Sequence, residues 1–267
     1  MLNFLNQNWS LSNPLMTRVD GYSNSNFKVE AGGKKYILKV YPREKQFTDW
    51  AETENNLLLW LGEKAANRFP CPVKTNDGRT FAVDAENKKV YRLLSWLEGD
   101  FFSDVPHTPE LFESFGNFLG ETDALLKDYR DYSIEARHSE WDLQHFIQVV
   151  SEKKLCISNA SDRKLVEYFL LQYHENVLPE LHKLRKSIIH GDANDRNVLV
   201  QNGKVSGMID FGDMCFSQRI NELAIGITYA ITGKENPVEW GCQIISGYHK
   251  KLPLQKREIE LLYWLVA

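Results

Sequence analysis

The chain has 267 residues, a length that suits one large domain or two modest lobes with a shared core. With 43% hydrophobic and 25% charged residues it has the make-up of a folded globular protein, which excludes a disordered one. A formal net charge of -4 provides no basic footprint for nucleic acid, so any site for an anionic ligand must be built locally.

Met1 to Leu15 carries Asn, Gln and Trp but no basic n-region, so it does not read as a signal peptide. No apolar run reaches the length of a bilayer span, which argues against a membrane partner. Phe27–Glu30 and Lys35–Val40 flank Ala31-Gly32-Gly33 and predict a hairpin. Its second strand puts Tyr36, Leu38 and Val40 on one face, and Ile37 with Lys39 on the other. A lysine in an apolar strand is costly unless paired.

A helix is expected over Lys45–Leu61, with Gly62 at its stop. Phe47, Ala51, Glu54, Leu58 and Leu61 recur at steps of four and three and form its inward stripe. Glu54 is the acid on that stripe, so Lys39 and Glu54 are expected to satisfy each other and leave the ammonium aimed at nucleotide phosphates. Without a ligand the same pair would read as a structural ion pair. Thr80–Asp84 and Lys89–Ser95 give two further strands, and the texture changes near Ser95–Gly99. Two lobes are expected, 1–97 rich in strand and 98–267 mainly helical, an α+β arrangement.

Thr108-Pro109 reads as a helix cap followed by Pro at the first helical position, and helices are expected to about Leu184. A compact β segment, Ser187–Asp210, interrupts them. Here Asn202-Gly203 predicts a type I′ hairpin in which Gln201 pairs with Lys204, Val200 with Val205 and Asn197 with Met208. Strand parity then puts Asn197 and Asp210 on one face as diagonal neighbours, roughly 7–8 Å apart at the backbone. Asp192 lies in the loop before the first of these strands. An Asn and an Asp offer the oxygen donors that suit Mg²⁺, which completes its shell with phosphate oxygens and water. Asp192 is then placed to accept a proton from an attacking hydroxyl, as phosphoryl transfer asks. Taken singly, Asn194, Asp195 and Arg196 read equally well as turn residues.

About ten residues after Asp210-Phe211-Gly212, the helix-like Asn221–Ile227 begins, too soon for a segment that could dock a polypeptide. Small substrates are therefore favoured. The chain stops inside a helical pattern, Leu261–Ala267, with no cap or polar tail, so a longer natural sequence with room for further domains is expected. The scattered Cys71, Cys156, Cys215 and Cys242 form no disulfide framework and fit a reducing, cytoplasmic setting.

His190-Gly191-Asp192-Ala193-Asn194-Asp195-Arg196-Asn197 followed by Ile209-Asp210-Phe211-Gly212-Asp213 resembles the aminoglycoside phosphotransferase and choline kinase group within the protein-kinase-like fold. Asn221-Glu222-Leu223-Ala224 extends the likeness toward hydroxylysine kinases and the kinase domain fused to class III aminotransferases, and more weakly toward homoserine kinases. The resemblance implies an ATP- and Mg²⁺-dependent phosphotransferase, with Asp192 as catalytic base and Asn197 and Asp210 as metal ligands. The acceptor it implies is a small amino alcohol or hydroxy amino acid. It sets Gly21–Asn26, including Ser23, Asn24 and Ser25, where kinases fold a loop over phosphates. It makes Leu94–Gly99 the hinge, with adenine bonding backbone groups of Ser95 and Leu97. Gly191 stands where protein kinases have Arg, Asp195 is expected to brace the loop, and Glu222 to have a structural role. The alternative from another class is a nucleotide-binding regulatory domain of a larger enzyme, pseudokinase-like in character.

Overall fold

The computed structural model describes residues 1–19 and 25–266. Two compact units divide the chain, Met1–Glu98 and Gly99–Ala267.

The first unit runs α1 (Leu2–Trp9), β1 (Leu15–Val19), β2 (Ser25–Ala31), β3 (Lys34–Pro42), α2 (Lys45–Lys64), β4 (Ala82–Asp84) and β5 (Lys89–Ser95). Among the described residues its strands form one antiparallel sheet in the order β1-β2-β3-β5-β4. Gly32 and Gly33 turn β2 into β3 with φ of 56° and 74°, the positive pair a type I′ turn requires. One sheet face buries Val29, Leu38, Val40, Ala82, Tyr91 and Leu93 against Leu5 and Trp9 of α1. Sequence reasoning found neither α1 nor β1. Only Leu5 and Trp9 of α1 are buried, too few to show a period in eight residues.

The α2 helix follows the expected stripe, with Ala51, Glu54, Leu58 and Leu61 buried, but it does not stop at Gly62. It continues to Lys64, Ala65 N–H closes on the Leu61 carbonyl, and Asn67 supplies the left-handed backbone beyond it at φ 63°. The helix is thus capped at Ala65, two residues ahead of the left-handed asparagine, and Gly62 is a tolerated helical glycine.

The second unit contains β6 (Asp100–Phe101), α3 (Pro109–Leu126), α4 (Tyr132–Glu135), α5 (Phe146–Lys153), α6 (Ala160–Asn176), β7 (Lys186–Ile189), β8 (Val198–Gln201), β9 (Lys204–Met208), β10 (Cys215–Gln218), α7 (Ile220–Ile231), α8 (Pro237–Lys251) and α9 (Lys256–Val266). Thr108 caps α3 as expected, its hydroxyl oxygen accepting from Leu111 N–H at 3.2 Å ahead of Pro109. The α3 and α8 backbones touch. A Cβ added to Gly116 would lie 1.9 Å from the Ile244 carbonyl oxygen, and one on Gly247 would lie 2.1 Å from that of Glu113.

Strands β6-β8-β9 form one small sheet, and β10 pairs with β7 in another. Asn202 and Gly203 take φ of 52° and 72°, and Gln201 pairs with Lys204 and Val200 with Val205 as expected. The register then slips. A bulge between Leu199 and Val200 sets Leu199 opposite Gly207 and Val198 opposite Met208, so Asn197 does not face Met208. Ile209 N–H instead donates to the Asn197 carbonyl at 2.8 Å. One inserted residue reverses side-chain parity, so the diagonal argument for Asn197 and Asp210 fails. After β9, Asp210 takes a left-handed backbone at φ 64°.

Candidate functional site

The loop between β7 and β8 is organised around Asp192. Asn197 Nδ2 donates to Asp192 Oδ2 at 2.8 Å and to the Asp192 carbonyl at 2.9 Å. Asn194 Nδ2 donates to the other carboxylate oxygen, Oδ1, at 2.9 Å. Asn194 Oδ1 in turn accepts from the N–H groups of Arg196 and Asn197, at 2.8 and 3.0 Å. The half-buried Asp192 carboxylate is thus gripped by two amides, one of which also builds the turn that carries the other. Arg196 points outward, with Asp104 at 3.9 Å, and the Asp195 carbonyl accepts from Ser103 N–H at 3.1 Å.

The neighbouring Asp210–Met214 segment is bonded to the same loop. His190 is fully buried, its Nε2–H donating to the Ile209 carbonyl at 2.9 Å while Nδ1 accepts from Asp192 N–H at 3.2 Å. Gly191 has φ 81°, and a Cβ there would come within 2.6 Å of the Asp213 carbonyl oxygen. That close approach explains glycine at a position where arginine stands in protein kinases. Arg137 donates to the carbonyls of Gly212 and Met214 at 2.7 and 3.0 Å and holds the segment from its other side. Burial pushes the Asp213 carboxyl up; Arg137 opposes this, while the charges of Asp192 and Asp210 add to it. Asp213 therefore feels both aspartates, which brings Asp192, Asp210 and Asp213 into one acidic neighbourhood.

With its Nδ2 committed to Asp192, Asn197 keeps Oδ1 as a donor atom for a cation. An amide oxygen of this kind, like the carboxylate of Asp210, is the hard oxygen donor that Mg²⁺ takes. Among the described residues no three His, Cys, Asp or Glu side chains form a ready-made metal cluster. A cation held here would complete its shell from phosphate and water.

In the first unit, Lys39 is buried on β3 and stands directly across from Arg92 on β5. Glu54 is buried as expected, and its Oε2 accepts from Arg92 Nη1 at 2.6 Å. Arg92 is fully buried and also donates to Tyr41 Oη at 2.9 Å and to Asn55 Oδ1 at 2.9 and 2.7 Å. Burial works against its charge, but Glu54 and Tyr41 outweigh that and raise its pKa. Sequence reasoning gave Glu54 one cationic partner, Lys39, and missed Arg92. The signal was present in Val90-Tyr91-Arg92-Leu93-Leu94, an apolar strand holding a charge.

At Ser95 the N–H donates to the Cys71 carbonyl and Oγ accepts from Cys71 N–H, both at 2.8 Å. Leu97 is half-buried just beyond β5. Ser25 begins β2, opposite Val40, whereas Ser23 and Asn24 lie outside the described residues.

A groove of about 540 Å³ between the 143–173 segment and α9 is lined by Phe146, Val150, Phe169, Tyr173 and Trp264 among others. Lys153 and Lys154 are its charged lining residues, so it presents no carboxylate to an ammonium group.

Residues 16–258 match the family model described as phosphotransferase enzyme family, and the chain belongs to that family. It is 27% identical over 277 residues to hydroxylysine kinase of Xenopus laevis, covering 93% of this chain and 73% of that protein. Among solved structures, a microcompartment-associated aminopropanol kinase superposes with a TM-score of 0.77 at 18% identity, over 99% of this chain and 84% of that one. An amicoumacin kinase in complex with AMP-PNP, Ca²⁺ and Ami gives 0.75 at 16% identity, over 99% and 81%. The fold is protein-kinase-like, and the protein is a small-molecule kinase. No helix among the described residues is long and apolar enough to cross a membrane.

Proposed function

We propose that the chain transfers the γ-phosphoryl group of ATP to the hydroxyl of a small amino alcohol or hydroxy amino acid of the hydroxylysine, ethanolamine or homoserine type. The observation that carries this reading is the Asp192 carboxylate clamped by Asn194 and Asn197, which fixes a base without neutralising it. The likeness to hydroxylysine kinase, and to a structure named as an aminopropanol kinase, supports the acceptor class.

In this reading the acceptor hydroxyl lies against Asp192. As its oxygen bonds to the γ-phosphorus, the bond to the β,γ-bridging oxygen breaks, ADP leaves, and the hydroxyl proton passes to the Asp192 carboxylate. The two amides hold that carboxylate in register with the hydroxyl, so the residual work is positioning. Asn197 Oδ1 and Asp210 are assigned to Mg²⁺, which when bound neutralises phosphate charge. Lys39 is assigned to the nucleotide phosphates, and Glu54, which also accepts from Arg92, to holding that ammonium in place. The segment from Ser23 to Ser25 is assigned to the phosphate-covering loop, and Ser95 and Leu97 to adenine.

The test measures ADP release against a panel of hydroxy amino acids and amino alcohols, with wild type and Asp192→Ala. At least one acceptor should be turned over, and Asp192→Ala should lose about 10²–10⁴-fold in kcat while still binding ATP. Near-wild-type turnover by the variant would remove Asp192 as the base. ATP binding with no turnover on any acceptor would favour the regulatory-domain reading.

A further inference from the structure

The second unit buries two carboxyl groups behind the Asp192 loop, Asp123 on α3 and Glu222 in the first turn of α7, both at 0% exposure. Each has one oxygen accounted for. Tyr248 of α8 donates its hydroxyl to Asp123 Oδ2 at 2.5 Å, and Gly191 N–H donates to Glu222 Oε2 at 2.8 Å. The other two oxygens, Asp123 Oδ1 and Glu222 Oε1, are buried without a hydrogen-bond partner.

Packing puts them at one level. Gly226 of α7 sits so close to Leu119 of α3 that a Cβ would lie 2.8 Å from Leu119 Cδ1. Asp123 is one turn after Leu119, and Glu222 one turn before Gly226. Burial, followed by the charge of Glu222, drives the Asp123 carboxyl well above its ordinary range. Tyr248 and Arg219 oppose that shift and Glu258 adds to it. Burial also raises Glu222, opposed by His190 and by the Gly191 N–H, with Asp192 adding to the rise. Two ionised carboxylates held close in a dry interior are not a stable arrangement, whereas one proton shared between them would satisfy both orphan oxygens.

We propose that Asp123 is un-ionised at neutral pH and donates its proton from Oδ1 to Glu222 Oε1, completing a hydrogen-bonded chain Tyr248–Asp123–Glu222–Gly191 that ends one residue before Asp192. Asp123 and Glu222 are then positioning residues for the catalytic loop. That role rests on the reading of Asp192 as base; the proton itself does not.

Two measurements test the proton without any turnover. Infrared spectra at about pH 7 should show the carbonyl stretch of an un-ionised carboxylic acid, absent from both Asp123→Asn and Glu222→Gln, because either amide supplies the missing hydrogen. Urea denaturation between about pH 5 and pH 8 gives the second. The unfolded chain ionises Asp123 near 3.8 while the folded chain keeps the proton, so stability falls as pH rises above that value. Through this group the folding constant should drop about tenfold per pH unit until the folded state also ionises. Asp123→Asn should abolish that slope and gain on wild type as pH rises. Absence of the acid band from wild type, or equal pH slopes in the two proteins, overturns the proposal. The positioning role is read separately: Asp123→Ala should lower kcat with little change in KM for the acceptor, whereas Asp123→Asn retains it. Equal kcat in folded Asp123→Ala and wild type would remove that role.

Discussion

Arg92 and Lys39 face each other across adjacent strands, and one buried glutamate serves this corner of the sheet. The reasoning that picked out Lys39, a charge stranded among apolar neighbours, applies equally to Arg92, yet pattern alone does not show that Arg92 reaches Glu54. Strand register and the reach of a guanidinium fork decide that, and neither can be read from spacing. Arg92→Met should destabilise the protein by about 3–5 kcal/mol, because it leaves Glu54 buried with this donor removed. Adding Glu54→Gln should restore part of the loss, measured by urea denaturation of both variants. Asn194 was hidden for a similar reason. In a Gly-Asp-Ala-Asn-Asp run every polar residue reads as a turn former, and only the folded loop shows which amide turns back onto Asp192.

Among the elements, those with a strong local signal were legible. The Thr108-Pro109 cap, the Asn202-Gly203 turn and the inward stripe of α2 all follow from backbone chemistry carried by a few neighbouring residues. The bulge between Leu199 and Val200 has no such signature. It is set by how β8 must bend while pairing with β6 and β9 at once, so the parity argument failed where tertiary structure took over. Glycines separate the two kinds of information. Gly33→Ala has open space but a φ of 74°, so it should lose about 1–2 kcal/mol from backbone strain alone. Gly116→Ala has an ordinary helical backbone but an α8 carbonyl oxygen 1.9 Å from the new methyl, so it should lose about 3 kcal/mol or more by forcing α3 and α8 apart. Thermal melts of the two variants should rank them in that order.

For the whole molecule, the change of texture near Ser95–Gly99 and the two compact units Met1–Glu98 and Gly99–Ala267 describe a strand-rich part followed by a helix-rich one. The order of the elements that carry the candidate residues was legible because each motif sits on a short local element. Glu222 was expected to be structural, but its grouping with Asp123 and Tyr248 was not legible, since α3 lies far from α7 and α8 in sequence. A ligand that binds only the folded state stabilises by mass action. ATP with Mg²⁺ at a hundred times its Kd should therefore add about 2.7 kcal/mol. For a chain of this length that is about 5–10 °C in melting midpoint. Asp210→Ala should erase the magnesium-dependent part of that rise and leave the rest, as differential scanning fluorimetry would report.

The meeting of α3 and α8 through Gly116 and Gly247 has one more implication. Where main chain lies on main chain, no rotamer stands between the helices to give way, and sliding is blocked in both directions. The pair should travel as a single rod through any opening and closing that accompanies turnover. New acceptor preferences in this lineage would then have to arise from residues that look away from that seam, since the seam itself has no slack to lend.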